Sequence, residues 1–158
     1  MNRLLIVLAL LTTAASPPRL LAARGSWAAF DRGTHCEAVA RSALIAPRGS
    51  TQPYVVLSFS RSPRRAGELM VVFKRPLRAG SAVTLTIGEQ PFLLAAHGNR
   101  AWSRGPAQET AILASLRAAG GMRSEARDSA GRRMVDRYLL AGAPLAIDAA
   151  AAACSLKR

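Results

Sequence analysis

The chain of 158 residues carries 22 Lys and Arg against 9 Asp and Glu, which gives a formal net charge of +13. This length suits one domain and excludes two separate hydrophobic cores. Half of the residues are hydrophobic, which excludes an intrinsically disordered chain.

The N-terminal segment has the parts of a secretory signal. Arg3 supplies a charged start, the apolar run LLIVLALL follows, and the small residues TTAAS come next. Cleavage could follow Ala15, Ala22 or Ala23, because each site has the small residues that are typical of signal-peptide cleavage. We therefore predict a signal peptide over residues 1–23 and a single domain over residues 24–158. No later stretch is long enough for a membrane-spanning helix.

Short strands dominate the first half of the predicted domain. Apolar residues at 27–30 indicate an opening strand, and residues 36–42 indicate a second one. A loop rich in Pro and Gly at 47–53 separates them from the alternating strand 54–60.

The clearest strand signal lies in the middle of the chain. Val83, Leu85 and Ile87 alternate with threonines, which is the period of a half-buried strand. The run 69–73 is apolar without interruption, as in a strand covered on both faces. Because Pro76, Gly80 and Ser81 lie between the two runs, we predict that they form a hairpin.

Two helices and a last hairpin complete the predicted elements. After a strand at 91–94 and a loop, Pro106 begins a short helix that ends at Gly120. Residues 122–127 and 133–140 predict a hairpin, and a final Ala-rich helix places Ile147, Ala151 and Cys154 on one face. The predicted fold is therefore all-β, a β-sandwich with one or two short peripheral helices.

The only two cysteines are Cys36 and Cys154, near opposite ends of the predicted domain. In an exported chain such a pair predicts a disulfide that ties the last helix to the first strands. Two isolated cysteines lack the spacing of a metal site, so we expect neither a metal ion nor a cofactor.

No recognisable catalytic motif is present, and His35 and His97 are the only histidines. His35 adjoins Cys36, but neighbouring residues of a strand point to opposite faces, so a dyad is not expected. A pocket that brought His97 together with Glu89 or Asp136 would favour a hydrolase. Trp27 is more consistent with a core residue than with a sugar-binding surface.

The order of motifs along the chain is distinctive. It comprises an export signal, Gly25 and Trp27 as G-x-W, an early Cys, the turn from Pro76 to Gly80 before VTLTIGEQPF, then AILASLRAAG and a closing YLLAGAPLAIDAAAAAC. Over most of the mature chain this order resembles the invasion-associated locus B family of exported alphaproteobacterial proteins. The resemblance implies a compact β-sandwich in the periplasm or outer envelope, without an established enzymatic activity. Two further cysteines common in that family, around AAHGNRAWSRG, are absent here.

Three functions fit these features. The first is a non-enzymatic exported protein that acts by binding or by supporting the envelope, with anionic envelope components or another envelope protein as partner. The second is a hydrolase of envelope polymers. The third is a polyanion-binding module, whose candidate anion-binding residues are the tight Arg groupings Arg61, Arg64, Arg65, Arg132 and Arg133. No aromatic ladder interleaves these arginines, so nucleic acid is not an expected partner.

Overall fold

The computed structural model describes residues 17–60 and 66–155, and it shows an all-β protein with two helices. This confirms the predicted fold class. The strands are β1 Arg19–Arg24, β2 Trp27–Asp31, β3 His35–Arg41, β4 Tyr54–Ser60, β5 Ala66–Val72, β6 Val83–Ile87, β7 Gln90–His97, β8 Arg100–Trp102, β9 Gly121–Arg127 and β10 Arg133–Leu139. The helices are α1 Pro106–Ala118 and α2 Ala143–Cys154, and neither has the length and apolar character needed to cross a membrane.

All ten strands belong to one antiparallel sheet in the order β1-β2-β3-β4-β5-β8-β7-β6-β9-β10. The sheet curls until its far end meets its beginning. The Trp27 indole N–H donates to the Leu139 carbonyl over 2.8 Å, and the Ala43 N–H donates to the Arg137 carbonyl over 2.8 Å. The two halves of this continuous sheet thus enclose a single core.

The core is filled by alternate residues of the strands and by one face of each helix. Trp27 is only 1 % exposed, as expected of a core residue. On β3 the inward residues Cys36, Ala38 and Ala40 are small, which lets the Ala-rich helix α2 lie close against the sheet. In α2 the buried face contains Ile147 and Cys154 as predicted, together with Ala150, whereas the predicted Ala151 is only half-buried.

The predicted central hairpin is wrong. Strand β5 pairs with β4 and β8, whereas β6 pairs with β7 and β9, so the two predicted partners are not neighbours. Residues 73–82 instead cross over the end of the β7–β8 hairpin. The Phe73 N–H donates to the Asn99 carbonyl over 2.9 Å and the Leu77 N–H to the Gly98 carbonyl over 2.8 Å. The local sequence pattern identifies both strands correctly. It does not specify which strand from a distant part of the sequence pairs with each of them.

Two strands lie where no strand is predicted from the sequence. Strand β8 falls in the segment predicted as loop, and its three residues are too few to show a period. Strand β1 crosses the predicted boundary between the signal segment 1–23 and the domain 24–158, and residues 1–16 lie outside the described part of the chain. The short Ala-rich strand β1 is held by its pairing with β2 and by contact with α2.

Candidate functional site

The two cysteines form the predicted disulfide, with their Cα atoms 5.7 Å apart. Cys36 lies in β3 and Cys154 at the end of α2, so the bond fastens the last helix to the sheet. A carboxylate oxygen of Asp31 lies within 4.8 Å of both sulfur atoms. Because the sulfurs are bonded to each other, this group offers neither two thiolate ligands nor a nucleophile.

Of the predicted anion-binding residues, Arg132 and Arg133 are already engaged with acidic partners. The Arg132 Nε atom lies 2.9 Å from Asp128 Oδ2, and Arg133 forms an ion pair with Glu125. The hydrogen bond from Arg133 holds the pKa of Glu125 below its usual value. Asp128 is also paired with Arg75 and Glu125 with Arg123, so both acids are shared and balance only part of the local positive charge. Arg61, Arg64 and Arg65 lie outside the described residues.

His35 lies beside an acid that is already paired, and His97 lies apart from the two acids that would favour a hydrolase. His35 Nε2 is 3.8 Å from Glu37 Oε2, but Glu37 also accepts a hydrogen bond from Arg32 Nε over 2.6 Å. His97 is exposed and lines a cavity to which neither Glu89 nor Asp136 contributes. Asp136 is instead buried beside Ser42.

The cavity at His97 is strongly basic, and we call it the basic cavity. It has a volume of about 660 Å³, within the range of small-molecule sites. Its wall contains Arg78, His97 and Arg104, the hydroxyl of Ser81, and the small residues of the crossing segment. No acidic residue lines it within the described part of the chain.

Main-chain contacts hold the arginines of the basic cavity in place. The Arg78 N–H donates to the Arg127 carbonyl over 3.0 Å, and the turn that follows is closed by the Ser81 N–H on the Arg78 carbonyl. Gly80 supplies the positive φ of 71° that this turn requires. On the opposite wall, Arg104 Nη2 donates to the Leu94 carbonyl over 3.3 Å.

The basic side chains that line the basic cavity are only partly engaged in hydrogen bonds or ion pairs with the rest of the protein. The guanidinium of Arg78 and the imidazole of His97 have no hydrogen-bond or ion-pair partner among residues 17–60 and 66–155. Arg104 donates one N–H to a neutral carbonyl and keeps its charge unpaired. The cavity can therefore accept a phosphate or carboxylate group without breaking an existing ion pair.

A second depression lies on the outer face of the first half of the sheet, and we call it the outer groove. Directly paired residues Ala28, Val39, Val56 and Met70 form an apolar row across β2, β3, β4 and β5. The outer face of an antiparallel sheet is commonly polar, so this row is unusual. It lines two adjoining cavities of about 610 and 380 Å³.

Part of the outer groove could be predicted from the sequence, whereas the basic cavity could not. The uninterrupted apolar run in β5 predicts cover on both faces. The inward residues Leu69 and Val71 are covered by the core. On the outer face Val72 is buried, with 3 % exposure, whereas Met70 is only half-buried and lines the smaller cavity of the outer groove. The basic cavity is not evident from the sequence, because its arginines come from segments that meet only in the fold.

A small polar cluster lies inside the core between β10 and the end of β3. The Ser42 hydroxyl donates to Asp136 Oδ1 over 3.2 Å. Burial raises the pKa of Asp136, although the Ser42 hydrogen bond and the charge of Lys74 oppose this shift. Burial likewise raises the pKa of Tyr138 well above its usual value. With Asp136 only 1 % exposed, the cluster is structural and not an open site.

Comparison with known proteins gives no relative for this arrangement. No family model, no curated protein and no solved structure matches the chain.

Proposed function

We propose that this is an exported, non-enzymatic protein of the periplasm or outer envelope that acts by binding an anionic group in the basic cavity. The observation that carries the proposal is that Arg78, His97 and Arg104 converge on one cavity without a lining acid among the described residues. A protein with a net charge of +13 also attracts anionic ligands over a longer range.

Export is supported by two independent features. The apolar segment after Arg3 has the pattern of a secretory signal. The disulfide between Cys36 and Cys154 is of the kind that persists in oxidising compartments such as the bacterial periplasm. The resemblance to the invasion-associated locus B family agrees with this location, and we propose membership of that family on the order of its motifs.

Binding is favoured over catalysis by the surroundings of the histidines. In histidine-dependent hydrolases a carboxylate commonly orients the imidazole and stabilises its charged form. The described lining of the basic cavity places no carboxylate beside His97, and Glu37 beside His35 is engaged by Arg32. The same arrangement is suited to holding an anion, because guanidinium groups bind carboxylate and phosphate through two parallel hydrogen bonds.

The proposal is tested by co-sedimentation of the oxidised protein with isolated envelope fragments over a series of salt concentrations. We expect binding at low salt and release as the salt concentration rises, because screening shortens the range of the attraction to about 8 Å at physiological ionic strength. Changing Arg78 and Arg104 together to Gln should weaken binding by about tenfold or more.

The matched control changes Arg48 and Arg137 to Gln. Both residues are exposed, lie outside the basic cavity and have no ion-pair partner in the described part of the chain, so the same formal charge is lost. Equal losses from the two double variants would show that only net charge matters. Changing Arg64 and Arg65 to Gln removes the same two charges, and a larger loss from that double variant would move the binding site to the segment that contains Arg61, Arg64 and Arg65.

A further inference from the structure

We propose that the outer groove binds the alkyl chain of a monomeric anionic amphiphile, of which a free fatty acid is the simplest example, with its carboxylate at Arg41. This site is separate from the basic cavity and does not depend on the function proposed for it. The two adjoining cavities share Arg32, Val39 and Arg41, so the groove is continuous past the arginines.

The larger of the two cavities is the better receptor for an alkyl chain. Its floor consists of Ala28, Phe30 and Val39, and one wall is formed by Leu139, whose side chain is 60 % exposed. Large apolar side chains that are left exposed around a concavity mark ligand-binding surfaces. An alkyl chain placed here would remove these side chains from water without requiring any polar contact.

The backbone hydrogen bonding of the strands beneath the outer groove favours an alkyl chain over a peptide as its ligand. Strands β2, β3 and β4 each pair with a neighbour on both sides, so their backbone groups are already satisfied. A peptide laid across this face would leave its own N–H and carbonyl groups unpaired against apolar side chains, which is costly. An alkyl chain has no such groups.

The charge at the groove points to an anionic head group. Arg32 lies over the Phe30 ring, 5.2 Å from its centroid, and is paired with Glu37. Arg41 lines both cavities, and its guanidinium has no hydrogen-bond or ion-pair partner among residues 17–60 and 66–155. The groove therefore carries an uncompensated cation beside an apolar channel, which complements a carboxylate at the end of a hydrocarbon chain.

The same charge disfavours a second copy of the chain as the occupant. Two copies that met face to face about a two-fold axis through the groove would bring two unpaired Arg41 guanidinium groups together, on chains that each carry a formal net charge of +13. An intact bilayer is also a poorer match than a single chain, because the two cavities are depressions that a flat surface cannot fill.

The test is a calorimetric titration of the oxidised full protein with laurate below its micelle concentration. We expect saturable binding of one laurate per chain and much weaker binding of dodecanol, which has the same chain but no charge. Changing Arg41 to Gln should weaken laurate binding by about tenfold or more, whereas the control Arg48→Gln, an exposed loop arginine outside the groove, should leave it unchanged.

A second variant, in the apolar surface of the outer groove, tests the proposal independently of Arg41. Val39→Glu places a carboxylate between the two cavities and should abolish laurate binding, while Arg78→Gln with Arg104→Gln should not affect it. The proposal is overturned by absent or non-saturable laurate binding, or by equal losses from Arg41→Gln and Arg48→Gln. It is also overturned if the protein dimerises through Val39, or if it binds anionic phospholipid vesicles through Arg41 but not laurate.

Discussion

Cys36 and Cys154 are 118 residues apart in sequence and are joined by a disulfide that fastens α2 to β3. In the chain-entropy model, a bond that closes so long a loop stabilises the fold by restricting the unfolded chain.

Changing Cys154 to Ala should therefore lower the free energy of unfolding by roughly 2 to 5 kcal/mol. Denaturant titration of the oxidised protein and of the variant measures the difference. A reducing agent should destabilise the wild-type protein and leave Cys36→Ala with Cys154→Ala unchanged. A thiol reagent that labels both cysteines of the folded, unreduced protein would contradict the prediction.

Two buried aspartates should give opposite dependences on pH. Burial raises the pKa of Asp136 above its ordinary value of 3.8, so its stabilising contribution is complete below about pH 3.8 and is lost as the pH rises through the raised pKa. Replacing Asp136 with Asn mimics the protonated form. The stability of Asp136→Asn relative to wild type should increase from about pH 3 to about pH 7 in urea titrations.

For Asp128 the expected pH dependence of the contribution to stability is the opposite. Burial alone would raise its pKa, but hydrogen bonds from the backbone and side chain of Arg132, together with the charge of Arg75, hold it below 3.8. Its contribution is present above that value and is lost as the pH falls through the lowered pKa. Asp128→Asn should therefore destabilise most at about pH 7 and least at about pH 3. If the stabilities of the two variants relative to wild type change in the same direction with pH, one of the two pKa assignments is wrong, and the direction shows which one.

The position of β1 predicts where an export signal is removed. Cleavage after Ala15 would leave β1 whole, whereas cleavage after Ala22 or Ala23 would remove most of it. Because Leu21 and Ala22 pack against the core, we expect the exported protein to begin at Ser16, as measured by intact mass. A version that begins at Arg24 should be less stable by about 2 kcal/mol. An observed start at Ala23 or Arg24 would show that β1 is dispensable.

The turn between β10 and α2 is packed too closely for a side chain. Gly142 has a φ of 94°, and a Cβ atom there would lie 2.0 Å from the Arg24 carbonyl oxygen. Gly142→Ala should therefore destabilise the protein by roughly 3 kcal/mol, from backbone strain and overpacking together. The control is Gly49→Ala, where φ is 79° but the surrounding space is open. That variant should cost only about 1 to 2 kcal/mol in the same thermal or urea unfolding experiment.

Elements with local signals could be predicted from the amino-acid sequence. Strand β4 begins and ends at the predicted residues, and α1 begins at Pro106 as predicted. The β9–β10 hairpin also forms around the predicted turn, because its strands are adjacent in the chain. The disulfide followed from composition, since a domain with two cysteines has only one pair to form.

Tertiary structure alone decided which strands are neighbours and where charges meet. The edge of β5 is taken by β8, a strand of three residues, and this excluded the predicted pairing with β6. Arg78 and Arg104 come together only because residues 73–82 cross the end of the β7–β8 hairpin. The outer groove depends on the register that aligns Val39, Val56 and Met70. Register and pairing are contacts between distant segments, so no local pattern specifies them.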